Sequence, residues 1–182
     1  MILLMIGLVF GYEPVKGIDF PLKNEVEEFN FNYGVNLKFT VNRQSEENYP
    51  DQLLYKAIYS STVVSLRMVE SLGAIYQRCN ANETIEIYEV SEEDLNNPAR
   101  FPEIFENNLK PKDAPVWGYY DPRSKESNLD AIVISPQFDS ANYRIVVHEM
   151  AHYWYSSFCL DRYTSLSTEE FAVAVQEIAR WK

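Results

Sequence analysis

Hydrophobic side chains in this chain first alternate, then recur every three or four residues, then return to short extended runs, and that order lays out a fold. Between residues 29 and 41, Phe29, Phe31, Tyr33, Val35, Leu37, Phe39 and Val41 take every second position. Period two predicts extended backbone with one buried face, either one long strand or a hairpin folded near Gly34. From residue 51 to 79 the spacing changes, with Leu54, Ile58, Ser61, Ser65, Met68, Leu72, Ile75 and Cys79 on one stripe. That stripe predicts a long helix, with Pro50 and Asp51 suited to its first turn and Ser61 and Ser65 small enough for close packing.

Residues 84–90 read as a strand, and residues 91–115 as an irregular connection with one helical turn. Residues 116–121 and 131–134, separated by turn formers, read as a hairpin with a long loop. Two helices follow, over about residues 141–158, capped by Asp139 or Ser140, and about residues 168–181. The expectation is an α+β domain over residues 12–182, with a small, mostly antiparallel sheet and a long backing helix.

Composition narrows the function. At 182 residues and 46% hydrophobic, the chain suits one domain with a real core. Its 16 Lys and Arg against 27 Asp and Glu, a formal charge of −11, argue against nucleic acid and would draw basic partners at low salt. The two cysteines, Cys79 and Cys159, permit one bridge in an oxidising compartment and form no CxxC pair. Residues 1–11 fit the apolar core of a signal peptide, too short to span a membrane, although no Lys or Arg precedes Lys16. Export to an extracellular or periplasmic space is the expectation, with no stable membrane span.

Chemistry concentrates in His148-Glu149-Met150-Ala151-His152, which holds both histidines of the chain. On a helix, residues four apart share a face, so His148 and His152 can both present a ring nitrogen to one zinc ion. Glu149 is turned roughly 100° from His148, outside the ligand set but close enough to hold a water as general base. Zinc lowers the pKa of that water to about 7, Glu149 takes its proton, and the hydroxide attacks a polarised carbonyl, with the proton returned to the leaving amine.

A catalytic zinc wants a third protein ligand and one open position. Three carboxylates compete. Ser167-Thr168-Glu169-Glu170 contains a capping box that occupies Glu170, leaving Glu169, on a turn shared with Ala172, Val173 and Gln176, as the preferred ligand. If Thr168 is the cap instead, Glu170 becomes available. Asp161 would need the motif helix to break soon after His152, where residues 153–160 offer no Gly or Pro.

The pentapeptide, followed after sixteen residues by Glu169-Glu170-Phe171-Ala172, resembles the gluzincin metallopeptidases, whose third ligand is a Glu on a second helix, often in an E-G-F-A context. The likeness is to small, single-domain, minigluzincin-like members and spans roughly residues 51–182. It implies a zincin-like fold with an active-site helix and a C-terminal glutamate helix, zinc on His148, His152 and Glu169, catalysis by Glu149, and a protein or peptide substrate cut as by an endopeptidase. Two departures stand out: no large C-terminal subdomain, and no evident oxyanion-stabilising residue, so that Tyr153, Tyr155 and Tyr163 have no assigned role. An extended peptide would add to an edge strand of the hairpin through its backbone. The competing expectation is a non-catalytic domain, binding or structural, with a fourth ligand such as Asp161 closing the metal site.

Overall fold

A computed structural model describes residues 26–31, 33–43, 51–75, 78–79, 84–97, 117–122, 130–136 and 143–180. Strands β1 (Val26–Phe31) and β2 (Val35–Arg43) form the hairpin, antiparallel with Phe31 opposite Val35. Gly34 turns it at φ 68°, its N–H donating to the Phe31 carbonyl at 3.1 Å. Val35, Leu37 and Phe39 are buried, the inward half of the alternating run.

Helix α1 (Asp51–Ser71) then carries the chain to β3 (Thr84–Glu89), which pairs with β2 in parallel. The helix stops short of residue 79 because Gly73, at φ 73°, takes the left-handed position after its last turn. Its N–H bonds the Glu70 carbonyl at 2.9 Å, and Ala74 N–H bonds Val69 at 3.0 Å. After the short α2 (Glu92–Leu95), β4 (Gly118–Asp121) and β5 (Asp130–Ile134) pair antiparallel, and β5 joins β3 in parallel.

The sheet order is β1-β2-β3-β5-β4, which leaves β4 at an edge. Two of its four pairings are parallel, so the sheet is mixed rather than mostly antiparallel. A helix or long connection between neighbouring strands returns the chain to its starting end, and parallel pairing follows. Alternation in sequence reports a buried face, not the direction of the partner strand.

Helices α3 (Arg144–Ser157) and α4 (Thr168–Arg180) complete the α+β domain. With α1 they build the main core against Leu37, Phe39, Ile85, Ile87, Ile132 and Ile134 of the sheet. A smaller cluster of Val90, Leu95 and Val133 draws on the alternate strand positions. At the α1–α3 contact, Ser61 Oγ donates to the Val147 carbonyl at 2.7 Å and the Trp154 indole N–H to Thr62 Oγ1 at 3.2 Å. Ser61 and Thr62 thus let α1 lie close to the motif helix with their hydroxyls paired, while the Oγ of buried Ser65 has no hydrogen-bond partner among the described residues. Among the described residues no helix is long and apolar enough to cross a membrane. Residues 1–25, with the signal-like segment, and the candidate caps Asp139 and Ser140 lie outside the described residues.

Candidate metal centre

Burial along α3 fixes which way its histidines face. Val146, Val147, Met150, Ala151, Tyr153 and Trp154 are all at most 1% exposed, so they anchor the helix in the core. His148 and His152, half-buried, lie on the remaining face toward α4. Their ring planes meet at 76° and their Nε2 atoms stand 3.1 Å apart.

Glu169 closes the triangle. Its Oε1 lies 3.3 Å from His148 Nε2 and its Oε2 3.4 Å from His152 Nε2. The other ring nitrogens are held by α4: His148 Nδ1 faces Gln176 Oε1 at 3.3 Å, and His152 Nδ1 faces Thr168 Oγ1 at 2.7 Å. With Gln176 Oε1 and Thr168 Oγ1 as acceptors, each ring carries its proton on Nδ1 and offers Nε2 as a lone pair. In those tautomers two lone pairs and a carboxylate converge, an arrangement that suits a cation. The two ring nitrogens, 3.1 Å apart, come near the corner spacing of about 3.3–3.4 Å in a tetrahedron with arms of about 2.0–2.1 Å, and Glu169 meets them through different oxygens, Oε1 at His148 and Oε2 at His152. The group of His148, His152 and Glu169 can hold a metal ion.

Glu170 is occupied elsewhere. Its Oε2 accepts from Ser167 N–H at 2.8 Å and from Ser167 Oγ at 2.9 Å, while its own N–H donates to Ser167 Oγ at 3.2 Å. These bonds form the capping box and hold the Glu170 carboxyl below its ordinary pKa. Buried Ala172 lets α4 approach α3, whereas Val173 is 44% exposed and lies off the shared face.

The chain does turn after α3, without glycine. Cys159 adopts φ 47° and is bridged to Cys79, with a Cα–Cα separation of 5.7 Å, and Cys79 N–H bonds the Ser157 carbonyl at 2.9 Å. A 3-10 turn, Leu160–Arg162, follows. Asp161 on that turn lines the groove above the histidines but does not join the group around them. Among the three tyrosines, Tyr153 is fully buried against the Tyr120 and Trp154 rings, and Tyr163 packs at the margin of the core. Tyr155 lines the groove, its hydroxyl donating to the Leu166 carbonyl at 2.7 Å.

Glu149 is only 8% exposed, and its carboxyl is pushed up to about 8, first by burial and then by the Glu169 charge, with the Tyr120 backbone N–H pulling the other way. Edge strand β4 presses on it. A Cβ built on Gly118 would fall 2.5 Å from Ile145 Cγ2 and 2.8 Å from Glu149 Oε1, so glycine is what lets the strand lie against the carboxylate. His152 is held below its ordinary pKa, chiefly by burial and then by His148, which favours the neutral imidazole that a metal needs. The groove encloses about 730 Å³ and runs from Gly118, Tyr119 and Tyr120 past the histidines to Asp161 and Thr168.

Sequence reasoning had not singled out Gly118, nor Thr168 and Gln176 as holders of the rings. Gln176 stands seven residues beyond Glu169, two helical turns along the same face, and that spacing was the available signal. No family model, curated protein or solved structure matches the chain.

Calorimetric titration with zinc should show Glu169→Ala weakening affinity by about 100-fold or more and Thr168→Val by about 10–100-fold, with Glu170→Ala near wild type. In metal-free protein the Glu149 carboxyl has a folded pKa above its unfolded value, from 4.5 to about 8. Its contribution to stability is therefore full below about pH 4.5 and is lost as pH rises through about 8. Urea unfolding of chelator-treated protein should show Glu149→Gln gaining on wild type progressively between those limits.

Proposed function

We propose that this chain is a zinc-dependent metallopeptidase of the gluzincin kind, hydrolysing peptide bonds with Glu149 as general base. The observation that carries the reading is the convergence of His148 Nε2, His152 Nε2 and the Glu169 carboxylate beside buried Glu149 in an open groove. Zinc fits that set of two imidazoles and one carboxylate, and when bound it would supply Lewis-acid polarisation of a carbonyl and acidification of water.

The chain's own groups divide the remaining work. His148, His152 and Glu169 would hold the ion, and Gln176 and Thr168 would keep the two rings in register. Glu149 would accept a proton from water at its carboxylate and hand it to the leaving amine. Its burial and the Tyr120 N–H bond keep that carboxylate in one place through both transfers. A peptide would lie along β4, the edge strand that lines the groove with Gly118, Tyr119 and Tyr120. A closed structural site is disfavoured because, among the described residues, no fourth His, Cys, Asp or Glu joins the group. The Cys79–Cys159 bridge accords with work in an oxidising, exported setting.

Zinc-loaded protein should cleave members of a peptide library and lose the activity to a chelator. Glu149→Gln should keep one zinc per chain while turnover falls by about 10²–10⁴-fold. Stoichiometric zinc with no cleavage by wild type would favour the non-catalytic domain.

A further inference from the structure

Charge in the groove is one-sided. Among the described residues its lining includes Glu149, Asp161 and Glu169 and no Lys or Arg. Glu169 belongs to the metal group, and Glu149 is buried against β4. Asp161 is the remaining carboxylate, exposed and facing the open space beside Ser156, Cys159 and Thr168.

The turn that carries Asp161 is held from several sides. Leu160 before it is fully buried, and Cys159 is bridged to Cys79. Arg162 N–H bonds the Cys159 carbonyl at 3.0 Å and Tyr163 N–H bonds Leu160 at 2.9 Å. The Tyr155 hydroxyl ties α3 to Leu166, spanning the turn from the helix side. The Asp161 charge reaches this wall: the Tyr155 phenol is raised above its ordinary pKa first by burial and next by Asp161, then by Glu170. A carboxylate carried on a backbone already held in place costs less ordering on meeting a cation, so more of the attraction shows as affinity.

We propose that Asp161 is a specificity residue, selecting peptides that carry a Lys or Arg side chain next to the scissile bond. This deepens the metallopeptidase reading and rests on it. A cationic side chain in the groove would meet the Asp161 carboxylate, the one lining carboxylate among the described residues that is neither in the metal group nor buried against β4, and its alkyl stem would lie against the Tyr155 ring. Norleucine, which keeps a similar stem without the charge, is the matched control.

The test uses capped hexa-alanine peptides bearing one Lys, or one norleucine, at each position in turn. Cleavage by zinc-loaded wild type should favour Lys over norleucine by about 5–10-fold at one position, and Asp161→Asn should bring that ratio near one. Asp161→Lys should favour Glu at the same position. A ratio near one in wild type, or a ratio that survives Asp161→Asn, overturns the inference. Calorimetric binding of the same peptides to zinc-loaded Glu149→Gln, with and without Asp161→Asn, separates it from the reading beneath. Lys-selective binding that depends on Asp161, with no cleavage by wild type, upholds Asp161 and removes the hydrolase. No binding, or binding indifferent to Lys, overturns the inference.

Discussion

Two ring nitrogens 3.1 Å apart and a carboxylate with an oxygen within 3.4 Å of each are brought together by two helices, and the rest of the structure is arranged around that constraint. Such a set is repulsive unless a proton or a cation sits among its members. It persists because each member is fixed from behind. The histidines ride on a helix whose opposite side is wholly buried, and α4 engages their Nδ1 atoms through Thr168 and Gln176. Glu169 is aimed by a helix whose first turn is locked by the Ser167–Glu170 capping box. The turn between the two helices is secured by the Cys79–Cys159 bridge and the Tyr155–Leu166 bond.

The sheet's part is narrower. Among the described residues its edge strand, β4, supplies the sheet's lining of the groove, and the absence of a side chain at Gly118 is what allows the close contact with Glu149. One strand therefore supplies a wall of the groove and, through the Tyr120 N–H, a bond to Glu149. Burial makes the Glu149 carboxyl reluctant to ionise, and a cation at the histidines would oppose that effect. A cation held there and the Glu149 carboxyl would thus be coupled by electrostatics as well as by position.

Much of the site was legible because its parts follow local rules. Four-residue spacing places His148 and His152 on one face whatever the fold, and the capping box favours Glu169 over Glu170, which stays open in sequence only if Thr168 is the cap. Long-range features were less legible. The periodic stripe runs on through Leu72 and Ile75 to Cys79, whereas the left-handed turn at Gly73 ends α1 at Ser71. Parallel pairing of β2, β3 and β5 depends on connections rather than on alternation. Cys159 takes a left-handed conformation usually left to glycine, and the bridge to Cys79, 80 residues away in sequence, is among the contacts that hold it there. Gly118 was hidden among aromatic neighbours whose strand character dominated the reading.

Zinc K-edge X-ray absorption on the zinc-loaded chain tests the central claim most directly, because it reports the ligands themselves. The account predicts imidazole scattering from two histidines and carboxylate oxygen, with first-shell distances of about 2.0–2.1 Å. A spectrum dominated by sulfur, or a shell of oxygens with no imidazole contribution, would contradict it.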